Sequence, residues 1–237
     1  MRILSIESSA LVASVAVTHE KELLGQFTTN YKKTHSQTLM PMLDQLMKQL
    51  DIELNTIDAI AIAGGPGSYT GLRIGSATVK GLGLVLKKPI INVPTLEAMA
   101  NNFSFLDQIL LCPIIDARRN QVYSGVYQNI GEDTENVRED KLLVIDDLLK
   151  ELQEYNKKCI FLGDGVANHE EKITEILGDK AFFAPVNLNR QNAVSVAKVA
   201  YKYYKLGKIE TPEEHGPVYL RLAQAERELK EKTNATF

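Results

Sequence analysis

Gly64-Gly65-Pro66-Gly67-Ser68-Tyr69-Thr70-Gly71-Leu72-Arg73-Ile74-Gly75 is the stretch from which the fold can be read. The apolar run at 58–63 reads as a strand, and residues 68–86 read as a helix. A glycine-rich turn between strand and helix points backbone N–H groups at one spot, where the helix dipole favours an anion. Ser68 has the position and the oxygen of an N-cap. Arg73 lies about one turn further on, where a cation opposes the dipole and calls for a phosphate or a partner's carboxylate nearby. No Gly-Lys-Ser/Thr follows at the required spacing, so this is not a Walker A loop. Gly71, Gly75 and Ser76 make one side of the helix slim, which lets another helix come close. The stretch reads as a rigid turn that aims a slim helix outward. Gly65, Gly67 and Ser68 are weak candidates for anion or nucleotide contact.

Working outward, residues 2–7 and 11–18 are β-rich runs split by Ser8-Ser9, and 23–29 is a third. A helix follows over 34–50. Beyond the glycine-rich stretch, 90–93 is a short strand and Thr95 caps a helix to about Phe103. The order then restarts, with strands at 109–116, 122–127 and 141–145, a helix at 146–155, a strand at 159–162 and a helix at 168–177. Both halves run strand, strand, strand, helix, strand, helix, without evident identity between them. Antiparallel strands followed by alternating helices and strands build mixed-sheet layered domains. The fold class is therefore α/β, with two tandem actin-like (ribonuclease H-like, ASKHA) lobes of mixed sheets flanked by helices. Residues 1–104 make the first lobe, 105–190 a smaller second lobe, and 191–237 a C-terminal helix and tail that pack back on the lobes. The acidic stretch 131–135 reads as a solvated loop, and 226–237 as a frayed helix or tail.

The chain carries a net charge of −3. A chain that grips nucleic acid alone shows a basic face and a high pI; here the pI is 5.9. The pairs Lys32-Lys33, Lys87-Lys88, Arg118-Arg119 and Lys157-Lys158 read as solvated surface. Cys112 and Cys159 sit in apolar runs outside any CxxC or Cys/His cluster, which argues against zinc or a disulfide framework. No signal peptide opens the chain, and no apolar run approaches the ~20 residues of a membrane helix. The expected location is the cytoplasm.

On the helix at 34–50, Leu39, Met40, Met42, Leu43, Leu46, Met47 and Leu50 span an arc of roughly 160°, wider than a one-sided surface helix needs. Methionines edge the arc, as on adaptable binding surfaces, so a partner-facing surface is expected here ahead of a helix sunk in its own core. Pro41 should kink the helix or mark a late start. His35 lacks a metal-binding mate, because position 39 is leucine. The turn Glu7-Ser8-Ser9 and its counterpart Asp116-Ala117-Arg118-Arg119-Asn120 flank the site where actin-like ATPases hold phosphate, but the second lacks a glycine that would let phosphate approach. Ser8, Ser9 and Arg118 are weak contact candidates. Gly163-Asp164-Gly165 reads as a simple turn.

These residues resemble the TsaB (YeaZ) family, a bacterial non-catalytic subunit of the machinery making threonylcarbamoyladenosine in tRNA. The resemblance rests on Ile3–Ser9, on His35-Ser36 with Leu39 and Pro41, and on the stretch from Gly64 to Gly75. Ile115-Asp116-Ala117-Arg118, Val122-Tyr123 and Pro217-Val218-Tyr219-Leu220-Arg221 add to it. It implies no independent catalysis and no metal, since the catalytic relative TsaD carries a histidine pair absent here. A glycoprotease (M22) label on such chains reflects ancestry shared with TsaD. The resemblance implies pairing with a TsaD-like subunit through the first two helices, placing His35, Leu39, Met42, Leu43, Leu46, Met47, Thr70, Arg73, Ile74 and Ser76 at the interface. A TsaE-like ATPase joins, tRNA is met only through the complex, ATP or ADP sits at the complex interface if anywhere, and the isolated chain forms a homodimer. Glu7 stands where the family often has Asp, and Tyr69 where it often has Phe. The alternative reading is an ATP-dependent small-molecule kinase or ATPase of the same fold; a metallopeptidase lacks a histidine cluster.

Overall fold

The computed structural model describes residues 1–31 and 34–220. Two five-stranded sheets repeat one topology. In the first, β1 (Arg2–Glu7), β2 (Ala13–His19) and β3 (Glu22–Thr29) run antiparallel, while β4 (Ala59–Gly65) and β5 (Ile90–Pro94) run parallel to β1 on its other side. The order is β3-β2-β1-β4-β5. The second sheet takes β6 (Leu110–Asp116), β7 (Gln121–Ile130), β8 (Asp133–Val144), β9 (Cys159–Leu162) and β10 (Ala181–Phe183) in the matching order β8-β7-β6-β9-β10. The chain is thus two actin-like lobes, strand for strand.

The helices α1 (His35–Leu50) and α2 (Tyr69–Leu86) cover one face of the first sheet. Their equivalents α4 (Ile145–Tyr155) and α5 (Val166–Leu177) cover one face of the second. Strand β4 shows how its sequence sorts the layers. Its alternating Ala-Ile pattern sends Ile60 and Ile62 into the core beneath α1 and α2, and Ala59, Ala61 and Ala63 to the opposite face, as a two-residue period requires. That alanine face admits α6 (Ala193–Lys205), whose Val196, Val199 and Ala200 pack there with Ile3, Ile91 and Val93. The last helix of the first half, α3 (Thr95–Ala100), meanwhile places Leu96, Met99 and Ala100 against Leu111, Ile115, Tyr127 and Leu162 of the second sheet. The lobes therefore exchange helices. Tyr203 of α6 donates to Glu97 of α3 at 2.6 Å and ties the exchanged pair together.

Several expectations change. Thr95 is the first residue of α3, not its cap; Pro94 precedes it, and Thr95 Oγ1 is buried without a hydrogen-bond partner among the described residues. The stretch 131–135 is no loop: Gly131 and Glu132 make a hairpin turn and the rest enters β8, whose partly solvated edge lets a strand be polar. β10 was not expected, being three residues long. Pro41 lies inside α1 on its exposed side. Cys112 and Cys159 are buried and unpaired. Lys32-Lys33, Arg221 and the tail at 226–237 lie outside the described residues, and among the described helices none is long and apolar enough to cross a membrane.

Candidate functional site

The ends of β1 and β4 meet where two tight turns interlock. Ser68 caps α2 by accepting the Gly71 amide at 3.3 Å, as its position implied. The Ser68 amide in turn donates to the carbonyl of Ser9 at 2.6 Å, and Ser8 Oγ donates to the carbonyl of Gly71 at 3.0 Å. A methyl group at Gly67 would collide with the Ser9 carbonyl, at Gly71 with the Ser8 carbonyl, and at Gly75 with Ser8 Oγ. The slim side of α2 is thus filled by the chain's own Glu7–Ser9 turn rather than left for a second helix, which corrects that expectation. Behind it Glu7 is only 1% exposed. Its Oε1 accepts the Ser9 amide at 2.6 Å, and Oε2 has no hydrogen-bond partner among the described residues. Burial outweighs the nearby Ser9 and Ser8 donors and pushes the Glu7 pKa up to about 7.

Gly65, with φ 126° and a cis bond to Pro66, lies so close to Val218 that no side chain fits. The Val218 amide donates to the Gly64 carbonyl at 2.7 Å. Tyr219 packs on Tyr69 with ring centroids 5.0 Å apart, and Arg73 donates to the Tyr69 hydroxyl at 2.9 Å while lying over its ring. This strap at 217–220 fastens the glycine-rich turn from outside. It stacks Tyr219 on the same Tyr69 ring that Arg73 engages, a contact across 150 residues that the sequence did not disclose.

The second lobe presents a matching pair of turns across a cleft of about 870 Å³. Asp116, at the end of β6, accepts the Arg118 amide at 2.9 Å, and Asp164 of the Gly163–Gly165 turn accepts the Asp116 amide at 3.0 Å. Burial raises the Asp164 pKa. Arg118, Arg119 and Asn120 all hold positive φ, at 65°, 54° and 56°. Three non-glycine residues thus carry the left-handed backbone of the turn between β6 and β7. Of the weak contact candidates, Ser9, Gly67, Ser68 and Arg118 line the cleft, whereas Ser8 and Gly65 are sealed beneath it. No three His, Cys, Asp or Glu side chains among the described residues form a metal-binding group.

The interface residues divide by burial. Leu39, Leu43, Leu46 and Met47 are core residues of the first lobe. Most of that arc is thus turned to the lobe's own core, with Met40 exposed and Leu43 and Met47 reaching the floor of a shallow surface pocket beside it. Ser76 is buried as well, and Met42 and Ile74 are half-buried. His35 is buried, its Nε2 2.7 Å from the Ala10 carbonyl, which accordingly accepts from it. What α2 turns outward is a seam through Thr70, Ala77, Gly81 and Leu84, with the half-buried Ile74 between the first two keeping the alternating spacings of four and three. Leu84 is 52% exposed, neighbouring Val85 is 81% exposed, and nothing lies within 4 Å of a methyl group placed on Gly81. Sequence reasoning passed over Gly81, though a glycine inside a helical pattern is a signal in itself.

A model of the TsaD family, described as tRNA N6-adenosine threonylcarbamoyltransferase, matches residues 22–229. The tRNA threonylcarbamoyladenosine biosynthesis protein TsaB of Bacillus subtilis (strain 168) is 37% identical over 229 residues, covering 95% of this chain and 96% of that protein. The chain belongs to the TsaB family. The TsaB protein of Escherichia coli (strain K12) is 29% identical, covering 93% of this chain and 95% of its own. Among solved structures, a Pseudomonas aeruginosa protein with similarity to peptidase YEAZ matches with TM-score 0.79 and 25% identity, over 93% of this chain and 99% of that one. A ROK hexokinase from Thermus thermophilus matches at TM-score 0.50 and 11% identity, over 86% of this chain and all of that one, a likeness of fold alone. The Pseudomonas aeruginosa structure thus shares the two-lobed architecture over nearly its whole length.

Proposed function

We propose that this TsaB-family chain, whose relatives are named for tRNA threonylcarbamoyladenosine biosynthesis, is a non-catalytic subunit that docks on and supports a TsaD-like catalytic partner. A TsaE-like ATPase joins the assembly, and tRNA is met only through it. The observation that carries this reading is the seam on α2. Its 3.5-residue period is that of a helix-pairing stripe, all of it but the half-buried Ile74 is exposed, and Ala77 and Gly81 let a second backbone approach. Glycine inside an exposed helix costs about 1 kcal/mol against alanine, and a partner helix fitting over Gly81 offsets that cost. The same face serves a second copy of the chain when the partner is missing, since apolar patches of this kind seldom stay exposed. The kinase or ATPase reading loses support because the Ser68 and Gly71 amides of the glycine-rich turn are spent inside the chain.

Gly81 gives a test that separates folding from docking. Gly81→Ala should raise stability by about 0.5–1 kcal/mol in urea unfolding. Gly81→Arg should fold as well as the parent yet fail to form a complex when mixed with its TsaD-like partner, as read by light scattering. A complex of full mass with Gly81→Arg would remove the seam from the interface. Leu43→Asp would be no test, because it would break the lobe's core.

A further inference from the structure

The strap at 217–220 ends at the mouth of the cleft between the lobes, where Val218, Tyr219 and Leu220 join its lining. The two walls of the cleft differ in charge. The first-lobe wall has no acid, lysine or arginine, and its Leu11 is 50% exposed. The second-lobe wall presents Arg118 and Arg119, both exposed, and neither guanidinium has an ion-pair partner among the described residues. The acids beside them are turned to backbone: Asp116 accepts the Arg118 amide at 2.9 Å, and Asp164 accepts the Asp116 amide at 3.0 Å. The turn that carries the arginines is pinned at both ends. The Ala117 amide donates to the Gln121 carbonyl at 2.9 Å, and the Ile145 amide at the start of α4 donates to the Asn120 carbonyl at 3.1 Å. An anionic group delivered from the strap side would meet two unpaired cations on a fixed turn.

We propose that the cleft is filled by the chain's own segment 221–231, which runs on from the strap and braces the lobes by pairing Glu226 and Glu228 with Arg118 and Arg119. The order of its residues matches the order of the walls. Leu222-Ala223-Gln224-Ala225 is uncharged and comes first, where the chain leaves Leu220 beside the uncharged first-lobe wall; Glu226-Arg227-Glu228 follows. Side chains of an extended segment alternate between two faces, so Glu226 and Glu228 share one face and Arg227 takes the other. Glu226 is the sixth residue past Leu220, a reach of about 20 Å when extended, which is ample for a cleft of about 870 Å³. Arginine and carboxylate make strong, charge-assisted hydrogen bonds. The tether makes the contact intramolecular, with an effective concentration in the millimolar range, so contacts too weak to hold a separate peptide hold this one. The brace lies at the N-terminal ends of α1 and α2, away from Gly81 and Leu84, and it stands or falls independently of docking at the seam.

The test follows amide hydrogen exchange of residues 222–231 in the full chain by mass spectrometry, against the same sequence as a free peptide. Four chains are compared: the parent, Arg118→Glu/Arg119→Glu, Glu226→Arg/Glu228→Arg, and the variant with all four changes. The expected result is exchange slowed at least tenfold in the parent, exchange at the free-peptide rate in either double reversal, and exchange slowed again when the two reversals are combined. Where Arg118→Glu/Arg119→Glu lowers the unfolding midpoint, Arg118→Gly/Arg119→Gly takes its place, since glycine accepts the positive φ values of the turn; it too should release the segment. The proposal is overturned by free-peptide exchange in the parent, by protection that survives a folded arginine variant, or by no recovery in the fourfold variant.

Discussion

Glu7 shows what the interlocked turns cost at one residue. Its folded pKa of about 7 lies above the ordinary 4.5. Between those two values the folded chain keeps a proton that the unfolded chain releases, so stability falls as pH rises. The contribution is fully present below about pH 4.5 and is lost as pH passes through 7. A shift of this size is worth about 3 kcal/mol. Glu7→Gln cannot ionise and can still accept the Ser9 amide. It should unfold like the parent at pH 4 and be more stable at pH 8 by a few kcal/mol; equal stability at pH 8 would show that the carboxyl is not desolvated. Nothing in the sequence signals this, because Ile3–Ser9 reads as a strand and a polar turn whichever way Glu7 points. Ser68 is the contrasting case. A cap is a local property, and both its role and its position were legible.

Among the elements, order was legible and facing was not. The alternation of apolar runs gave both triplets of strands and the pairs of helices after them, because each is a matter of period. Which side of α2 meets what is settled by long-range packing. Gly71 and Gly75, read as a bare face for another helix, accommodate the chain's own turn, while the outward seam runs through Gly81. The arc on α1 is wide because the helix is deeply sunk between sheet and neighbouring helix, so burial alone accounts for its centre and only its edge at Met40 and Met42 is turned to the surface. The short β10 and the polar β8 lacked a usable period. The contact between α3 and α6 is likewise invisible in chain order. Tyr203→Phe removes the hydroxyl that Glu97 accepts and should cost about 2 kcal/mol in urea unfolding, the worth of a hydrogen bond to a charged group. An unchanged midpoint would mean that the two helices are held by apolar packing alone.

At the scale of the whole molecule, the helix exchange makes two lobes one folding unit. A fragment of residues 1–104 lacks α6, so Ile3, Ala61, Ile91 and Val93 lose their cover; a fragment of residues 105–237 lacks α3, exposing Leu111, Ile115 and Leu162. Neither fragment should give a cooperative thermal transition in circular dichroism, and mixing them should restore one. A sharp transition from either fragment alone would show that a lobe closes its own core.

The exchange also sets a schedule during synthesis. The first lobe's sheet is complete in the chain by Pro94, yet the helix that covers its alanine face ends only at Lys205. On a ribosome, which releases domains from the N-terminus onward, that sheet must wait through the making of more than a hundred further residues. Its bare face is exposed for that interval, and the early lobe is therefore the stretch where a nascent-chain chaperone has most to hold.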